Sequence, residues 1–321
     1  MSARYIGVDV GGTNVVAGLV DEERRVLARA KAKAAGAKSD AALAGLIARL
    51  AREAAAEGGA APEEIGGIGI GSPGVLRPGD GLVLYSCNTP LGPTELLAPL
   101  REAWNAPVFL GNDADCAALC EAAPGGAVHG CRSAVVVTLG TGVGGAYVQD
   151  GVLWRGHNGC AMEAGHMTVR ADGRRCPCGR RGCWEQYASA TALKRMTREA
   201  MRKDRESLLW TLAAENGGKV GGRLAFEAMR RGDRTAKRVT DAYLFYLAAG
   251  VCNLINLLQP DRLCLAGGVA GERDEDLLYP LRERVSREEA ARCGLPRTEI
   301  VKAARGGDAG VVGAAMLCMN H

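Results

Sequence analysis

One local pattern occurs twice in this chain of 321 residues and limits the folds that it can form. In each copy a short apolar strand ends in a cluster of glycines, and a second strand follows at once. The first copy is Asp9-Val10-Gly11-Gly12-Thr13, and the second is Gly140-Thr141-Gly142-Val143-Gly144-Gly145. Strands and helical segments alternate after each copy, which predicts mixed sheets flanked by helices. We therefore expect an α/β protein of two related domains that face one cleft.

The first glycine cluster suits the binding of phosphate groups. Glycines at the end of a strand expose backbone N–H groups in a concave turn, and Thr13 adds a hydroxyl donor. Asp9 ends the strand and could hold Mg²⁺ through water, since Mg²⁺ keeps much of its hydration shell. A plain hairpin turn preceded by an acid would explain the local string equally well.

The second glycine cluster satisfies G-x-G-x-x-G through Gly140, Gly142 and Gly145. A dinucleotide-binding site requires this turn to open a helix, whereas the residues from Ala146 onward have the pattern of a strand and a turn. This context excludes a dehydrogenase of that type. The chain also has no G-x-x-x-x-G-K-[ST] string, which excludes a P-loop enzyme. A strand–turn–strand glycine loop remains a good site for phosphates.

A carboxylate follows the next apolar strand. Asn112 and Asp113 come directly after Pro107–Leu110, and an aspartate at the carboxyl end of a strand is well placed to accept a proton from a substrate hydroxyl. Either residue could instead simply cap the helix that starts at Ala114. Asp115 is a competing carboxylate, which we expect within the helix and facing elsewhere.

Cysteine is the other distinctive residue, with 12 copies in the chain. His166, Cys176, Cys178 and Cys183 form an H-x9-C-x-C-x4-C string, and four N/S ligands of this kind suit a tetrahedral, structural Zn²⁺. A reduced cysteine-rich loop or a disulfide is the alternative. The lack of interleaved aromatic residues argues against a nucleic-acid knuckle. We expect the other nine cysteines to pack in the core.

Two carboxylates bracket the cysteine string. Glu163 and Glu185 are suited to accepting hydrogen bonds from a polyol, although ordinary surface charges would explain each alone.

The composition of the chain argues against two classes of binding partner. The formal net charge of +4 is too small to indicate a nucleic-acid binder. No segment resembles a signal peptide and no run of ~18 apolar residues would span a membrane, so we expect a cytoplasmic protein without a membrane partner.

Taken together, the quoted strings resemble the ROK family of sugar kinases over nearly the full length of the chain. The resemblance rests on both glycine clusters, Asn112-Asp113-Ala114, Glu163-Ala164-Gly165-His166, the string Cys176–Glu185, Gly267-Gly268-Val269 and Asp308-Ala309-Gly310. It implies a two-domain actin-like ATPase (ribonuclease H-like) fold with a cleft between the lobes. The implied lobes are residues 1–111 with 305–321, and residues 112–304 with the zinc loop.

The resemblance also implies the chemistry, which is transfer of the ATP γ-phosphoryl group to a sugar hydroxyl with Mg²⁺ present. Asp113 would be the general base, and the sugar-binding residues would be Gly74, Asn88, Asn112, Asp113, Glu163, His166 and Glu185. ATP and its phosphates would bind at Asp9, Gly11, Gly12, Thr13, Gly140, Thr141, Gly142, Gly267 and Gly268. One ring nitrogen of His166 would bind zinc and the other would face the sugar. The family also suggests a homodimer.

The string Cys183-Trp184-Glu185-Gln186-Tyr187-Ala188-Ser189 looks most like bacterial glucokinases, which favours glucose as the acceptor. Asn88-Thr89-Pro90 departs from the Asn-Leu-Pro of many glucose-specific members. N-acetylmannosamine, N-acetylglucosamine, fructose and allose are therefore alternative acceptors. A sugar-responsive regulator without catalysis is the alternative from another class; only eight residues precede Asp9, whereas such repressors carry a DNA-binding domain there.

Overall fold

The two glycine clusters lie in different sheets of the computed structural model, which describes residues 3–34, 37, 39–77, 80–86, 94–288 and 295–319. The strands are β1 (Arg4–Val10), β2 (Asn14–Asp21), β3 (Val26–Lys33), β4 (Ile65–Ser72), β5 (Val75–Arg77), β6 (Leu82–Tyr85), β7 (Thr94–Glu95), β8 (Val108–Asn112), β9 (Ser133–Leu139), β10 (Val143–Gln149), β11 (Val152–Leu153), β12 (Arg262–Ala266) and β13 (Glu299–Lys302). The α-helices are α1 (Asp40–Glu57), α2 (Ala98–Ala103), α3 (Asp113–Ala122), α4 (Glu185–Ala188), α5 (Ala190–Lys203), α6 (Leu208–Glu215), α7 (Leu224–Arg230), α8 (Arg234–Leu258), α9 (Leu278–Glu288) and α10 (Ala309–Met319).

The strands form two five-stranded sheets and one three-stranded sheet. The first sheet has the order β3-β2-β1-β4-β8, in which β1 pairs antiparallel with β2 and parallel with β4, and β4 pairs parallel with β8. The second has the order β11-β10-β9-β12-β13, with β12 parallel to both β9 and β13. The third is the antiparallel sheet β5-β6-β7. The prediction of mixed sheets flanked by helices is confirmed.

The chain divides into two compact units. Unit 1 contains residues 1–131, 146–162 and 304–321, and unit 2 contains residues 132–145 and 163–303. The expected lobe of residues 112–304 therefore differs from unit 2 at three places, one of which is the single residue Ala304. Residues 112–131 belong to unit 1 because α3 packs against α10, and residues 146–162 also pack within unit 1.

In unit 1, helix α10 packs so closely against the first sheet and α3 that no side chain fits between the backbones at several positions. A Cβ atom built on Gly7 in β1 would lie 1.9 Å from the carbonyl oxygen of Val311, and one on Gly69 in β4 would lie 1.8 Å from that of Ala314. On α10 itself, a Cβ on Gly313 would lie 1.7 Å from the carbonyl oxygen of Cys116 in α3. Only glycine permits these approaches, so three glycines outside the two clusters serve internal packing.

A buried glutamate fixes the segment that leads into α10. Glu121, near the end of α3, is fully buried and its carboxylate accepts hydrogen bonds from three backbone N–H groups. The donors are Ala127 at 2.8 Å, Ala304 at 3.0 Å and Arg305 at 2.9 Å. Backbone donors thus compensate for the burial of this carboxylate, and they attach the returning chain to unit 1.

Helix α8 forms much of the core of unit 2. Its buried face includes Tyr243, Leu247 and Val251, and a Cβ on Gly250 would lie 2.0 Å from the indole ring of Trp184. Contrary to the expectation from the sequence, α8 is long and apolar enough to cross a membrane by length and composition alone. Half of its apolar window is, however, buried inside the protein, as in a core helix of an ordinary globular protein.

The packing of α10 predicts a large effect of one methyl group. We expect Gly69→Ala to destabilise the protein by about 3 kcal/mol or more, because the added Cβ must displace the backbone of α10. The matched control is Gly45→Ala on α1, where a Cβ meets nothing within 4 Å and should stabilise by about 0.5–1 kcal/mol. Urea denaturation of the three proteins measures both changes. Equal stabilities of the two variants would contradict the packing that we describe.

Candidate functional site

The predicted residues of unit 1 meet at one edge of the first sheet. Because β1, β4 and β8 are parallel, their carboxyl ends lie together, with Asp9 paired to Gly71 and Ser72 paired to Asn112. Asp113 follows as the first residue of α3. Burial raises the pKa of the Cys116 thiol, and the charges of Asp115, Asp113 and Asp9 raise it further, so three carboxylates lie near one buried group.

Asp9 is a strongly perturbed carboxylate at this edge. Burial raises its pKa from 3.8 to about 6. A Cβ on Gly310 in the first turn of α10 would lie 2.6 Å from Asp9 Oδ2, so glycine at that position makes room for the carboxylate. A cation near Asp9 would offset the cost of its buried charge, which makes this side chain suitable for water-mediated binding of Mg²⁺.

The first glycine cluster forms a turn between β1 and β2. Gly11 N donates to Asn14 O at 2.9 Å, and Thr13 O accepts from Ala34 N at 3.0 Å. Gly12 and Thr13 are exposed. The turn is therefore fixed by backbone bonds at its two ends while its tip faces solvent, as a phosphate-binding loop requires.

Asn112 and Asp113 do cap α3. Asn112 Oδ1 accepts from Ala114 N at 2.8 Å and from Asp115 N at 3.4 Å, and Asp113 Oδ1 accepts from Ala114 N at 2.9 Å. These bonds fix both side chains at the edge of the sheet, so a capping role and a role in chemistry are compatible at this position.

The amide of Asn112 also reaches the loop after β4. Asn112 Nδ2 donates to Gly74 O at 3.4 Å. Gly74 has φ = 108°, and a Cβ there would lie 2.2 Å from Tyr85 O, so the position requires glycine. The structure thus brings Gly74 to Asn112. The predicted residue Asn88 lies outside the described residues.

In unit 2 the second glycine cluster lies beside Gly267 and Gly268. Gly267, with φ = 87°, would place a Cβ 2.8 Å from Leu139 N, and Val269 N donates to Leu139 O at 3.2 Å. Leu139 directly precedes Gly140, so the two sets of glycines adjoin at the carboxyl ends of β9 and β12. A Cβ on Gly140 or Gly268 would meet nothing within 4 Å, so neither of these two glycines is required by internal packing.

The start of α5 and a buried carboxylate fix the second cluster. Ala190 N donates to Gly140 O at 2.9 Å, and Thr191 Oγ1 donates to Thr141 O at 2.8 Å. Glu185 is 7% exposed and accepts from Val143 N at 3.2 Å. Glu185 was predicted only as a sugar ligand, whereas the structure also joins it to the glycine loop. Nothing in the local sequence pattern indicated the contribution of Thr191.

The four predicted metal ligands converge. One ring nitrogen of His166 and the sulfurs of the three cysteines all lie within 4.8 Å of one another. His166 Nδ1 is 3.7 Å from Cys176 Sγ, and Cys178 Sγ is 3.7 Å from Cys183 Sγ. A tetrahedral Zn²⁺ with Zn–S bonds of ~2.3 Å separates its ligand atoms by about 3.6–3.8 Å. Both the donor atoms and their spacing therefore fit zinc.

The surroundings of this cluster orient His166. Its second ring nitrogen, Nε2, lies 3.9 Å from Glu163 Oε2, and His166 N donates to Glu163 O at 3.0 Å. Gln186 Nε2 donates to Cys176 Sγ at 3.8 Å, an outer contact of the kind that fixes metal ligands. The arrangement leaves one nitrogen of His166 toward the sulfurs and directs the other toward Glu163, whose side chain is 45% exposed.

Asp115 lies within α3, as predicted, in the first turn of the helix. The helix itself starts at Asp113, one residue before the predicted start at Ala114. The carboxylate of Asp115 pairs with Arg155 at 3.1 Å. Burial raises the pKa of Asp115, and Arg155 opposes that increase. Sequence patterns could not have identified this pair, whose members are separated by 40 residues.

The chain is similar to known proteins over nearly its full length. The profile of the ROK family matches residues 5–321. The chain is 35% identical to a glucokinase of Thermotoga maritima over 319 residues, which are 98% of this chain and 96% of that protein. It is 34% identical to a glucokinase of Streptomyces coelicolor over 314 residues, which are 97% of this chain and 96% of that one.

A solved structure gives the fold. The crystal structure of a ROK family glucokinase from Streptomyces griseus, in complex with glucose and AMPPNP, superposes with a TM-score of 0.89. The match covers 99% of this chain and 100% of that chain at 32% sequence identity. The predicted actin-like ATPase fold is thereby confirmed.

The buried charge of Asp9 predicts a pH-dependent gain in stability on its removal. The folded protein binds the Asp9 proton more tightly than the unfolded chain does, so Asp9 reduces stability as pH rises from about 4 to about 6. We expect Asp9→Asn, without Mg²⁺ or nucleotide, to be about 1–3 kcal/mol more stable than wild type at pH 7.5. The two proteins should converge at pH 4. Urea denaturation at both pH values measures this, and a variant that is less stable at pH 7.5 would contradict the electrostatic argument.

Proposed function

The chain belongs to the ROK family of sugar kinases, and from that premise we propose that it phosphorylates glucose to glucose 6-phosphate with MgATP. The observation that carries the proposal is the full-length similarity to glucokinases, one of which is 35% identical. The Streptomyces griseus relative binds glucose together with an ATP analogue, which supports the same pair of ligands in this chain. A cytoplasmic location would supply both ATP and sugar.

We assign the role of general base to Asp113. The oxygen of the sugar 6-hydroxyl forms a bond to the γ-phosphorus, the bond from that phosphorus to the β,γ-bridging oxygen breaks, and ADP leaves. The hydroxyl proton passes to Asp113. The N-cap geometry supports this role, because the bond from Ala114 N fixes the carboxyl group at the carboxyl end of β8. Phosphoryl transfer depends mainly on such positioning and on neutralisation of charge.

The glycine turns serve the nucleotide in this proposal. Exposed backbone N–H groups of the first turn, with Thr13, would bind phosphate oxygens, and Asp9 would hold Mg²⁺ through water. In unit 2 the loop Gly140-Thr141-Gly142 would bind phosphates, and Gly267 and Gly268 would adjoin the adenosine. The space beside Gly140 and Gly268 supports this assignment, since a side chain there would occupy volume that a ligand can use.

The sugar would be bound by polar groups that the fold fixes in place. We assign hydroxyl contacts to Asn112, Glu163, His166 and Glu185, with Gly74 providing backbone. Zn²⁺ at His166 and the three cysteines would supply only structure, because four protein ligands leave no open coordination position. It would set the orientation and tautomer of His166, whose Nε2 then faces the sugar.

A panel of acceptors tests this function. We expect the purified protein to release ADP with glucose, at a higher kcat/KM than with N-acetylmannosamine, N-acetylglucosamine, fructose or allose. Asp113→Asn should reduce kcat by at least about 100-fold, because the base is lost, while sugar binding measured by calorimetry persists. A preference for an acetylamino sugar would refute glucose, and turnover retained in Asp113→Asn would refute the base. Sugar binding without any turnover would favour the regulator.

Metal analysis tests the zinc assignment. We expect about one zinc per chain, as four converging ligands imply, and its loss in Cys183→Ser. That variant should raise the KM for sugar more than the KM for ATP, because His166 loses its fixed orientation. Cys131→Ser, which changes a partly exposed cysteine outside the cluster, is the control and should keep the metal. Full activity in wild-type protein that contains no zinc would contradict the assignment.

A further inference from the structure

One segment of the chain leaves unit 2 and returns to it. Residues 146–162 pack within unit 1, although the residues on both sides of them belong to unit 2. In this segment β11 packs against α3, the helix that begins with Asp113. The segment ends at Met162, and the next residue is Glu163. A contact that fixes this segment to α3 therefore bears on two residues to which we assign catalysis and sugar binding.

Such a contact is the ion pair between Arg155 and Asp115. Arg155 Nε donates to Asp115 Oδ2 at 3.1 Å, and the Asp115 side chain is only 14% exposed. Asp115 is two residues beyond Asp113, and its own N–H donates to the capping amide of Asn112. A largely buried carboxylate needs its partner, since its desolvation would otherwise go uncompensated. The pair is thus more than an exposed surface contact.

The backbone of Arg155 closes a small loop whose far end adjoins Glu163. Ala161 N donates to Arg155 O at 3.1 Å. Gly156 (φ = 67°) permits the tight path, because a Cβ there would lie 2.9 Å from the Cβ of Ala161. Met162 then has φ = 64°, a conformation that non-glycine residues adopt only when their surroundings impose it. The loop therefore leaves the chain little freedom just before Glu163.

We propose, on the basis of the proposed function, that Arg155 is a positioning residue for sugar binding. Its side chain attaches the loop 155–161 to α3 through Asp115, and its carbonyl group closes that loop next to Glu163. The pair therefore fixes to α3 the loop from which the chain continues into Glu163. Loss of Arg155 should weaken recognition of the sugar and leave nucleotide binding unchanged.

Steady-state kinetics of Arg155→Ala test this role. We expect kcat/KM for the sugar to fall about 10- to 100-fold, as small misplacements of binding groups do, mainly through a higher KM. The KM for ATP should change less than about twofold, because Asp115 and Ala161, which Arg155 contacts, are not among the residues to which we assign nucleotide binding. Arg155→Lys, which keeps the charge, should recover part of the loss.

A double-mutant cycle identifies the partner. If Arg155 acts through Asp115, Asp115→Ala should show the same change in sugar KM, and the double variant should be no worse than either single variant. Additive effects would mean that Arg155 contacts the sugar or its phosphate directly, which would overturn the proposal.

The matched control is Arg25→Ala. Arg25 pairs with Asp21 at 2.7 Å, and the Asp21 side chain is 6% exposed, so this pair also protects a buried carboxylate in unit 1. We expect Arg25→Ala to keep wild-type kinetics even if it lowers the melting temperature. Equal kinetic losses in Arg25→Ala and Arg155→Ala would mean general destabilisation, and unchanged sugar KM in Arg155→Ala would refute positioning. Wild-type protein that phosphorylates no sugar would instead refute the proposed function.

Discussion

The close packing of α10 is the constraint on which the edge of unit 1 depends. This helix contacts β1 through Gly7, β4 through Gly69 and α3 through Gly313, each at a distance that excludes a side chain. β1 ends in Asp9 and α3 begins with Asp113, so one helix fixes the elements that carry both carboxylates. The three bonds to Glu121 attach the chain that leads into the helix. A C-terminal segment far from these residues in sequence thus sets their spacing.

The same packing explains why the charged form of Asp9 lowers the stability of the folded protein. Its carboxylate faces the first turn of α10 at Gly310, where burial raises its pKa to about 6. A carboxylate with this pKa is still charged at neutral pH, so the protein without a bound cation carries an uncompensated charge. An amide at this position would make the protein more stable, whereas a carboxylate is what binding of Mg²⁺ requires. We infer that the acid is retained for its chemistry.

Sequence patterns predicted the elements of this fold better than their tertiary partners. The glycine clusters, the capping residues Asn112 and Asp113, and the four metal ligands could be found because their geometry is encoded within short strings. The pairing of Arg155 with Asp115 could not, since it joins segments 40 residues apart. The assignment of residues 112–131 to unit 1 has the same cause, because it follows from packing between α3 and α10. Glycines such as Gly7 and Gly69 likewise have no local pattern that separates them from ligand-binding ones.

The surroundings of Glu163 explain how an exposed carboxylate can still be well placed. Before it, Arg155 and Ala161 close a loop, and Met162 has a left-handed backbone conformation that its surroundings must impose. After it, His166 N bonds to Glu163 O, and the His166 ring faces the three cysteines. The backbone is thus constrained on both sides by groups that a sugar need not touch. Since loops gain precision mainly from such supports, a bound metal ion and a partly buried ion pair would both constrain the backbone next to Glu163, and recognition of the sugar would depend on both.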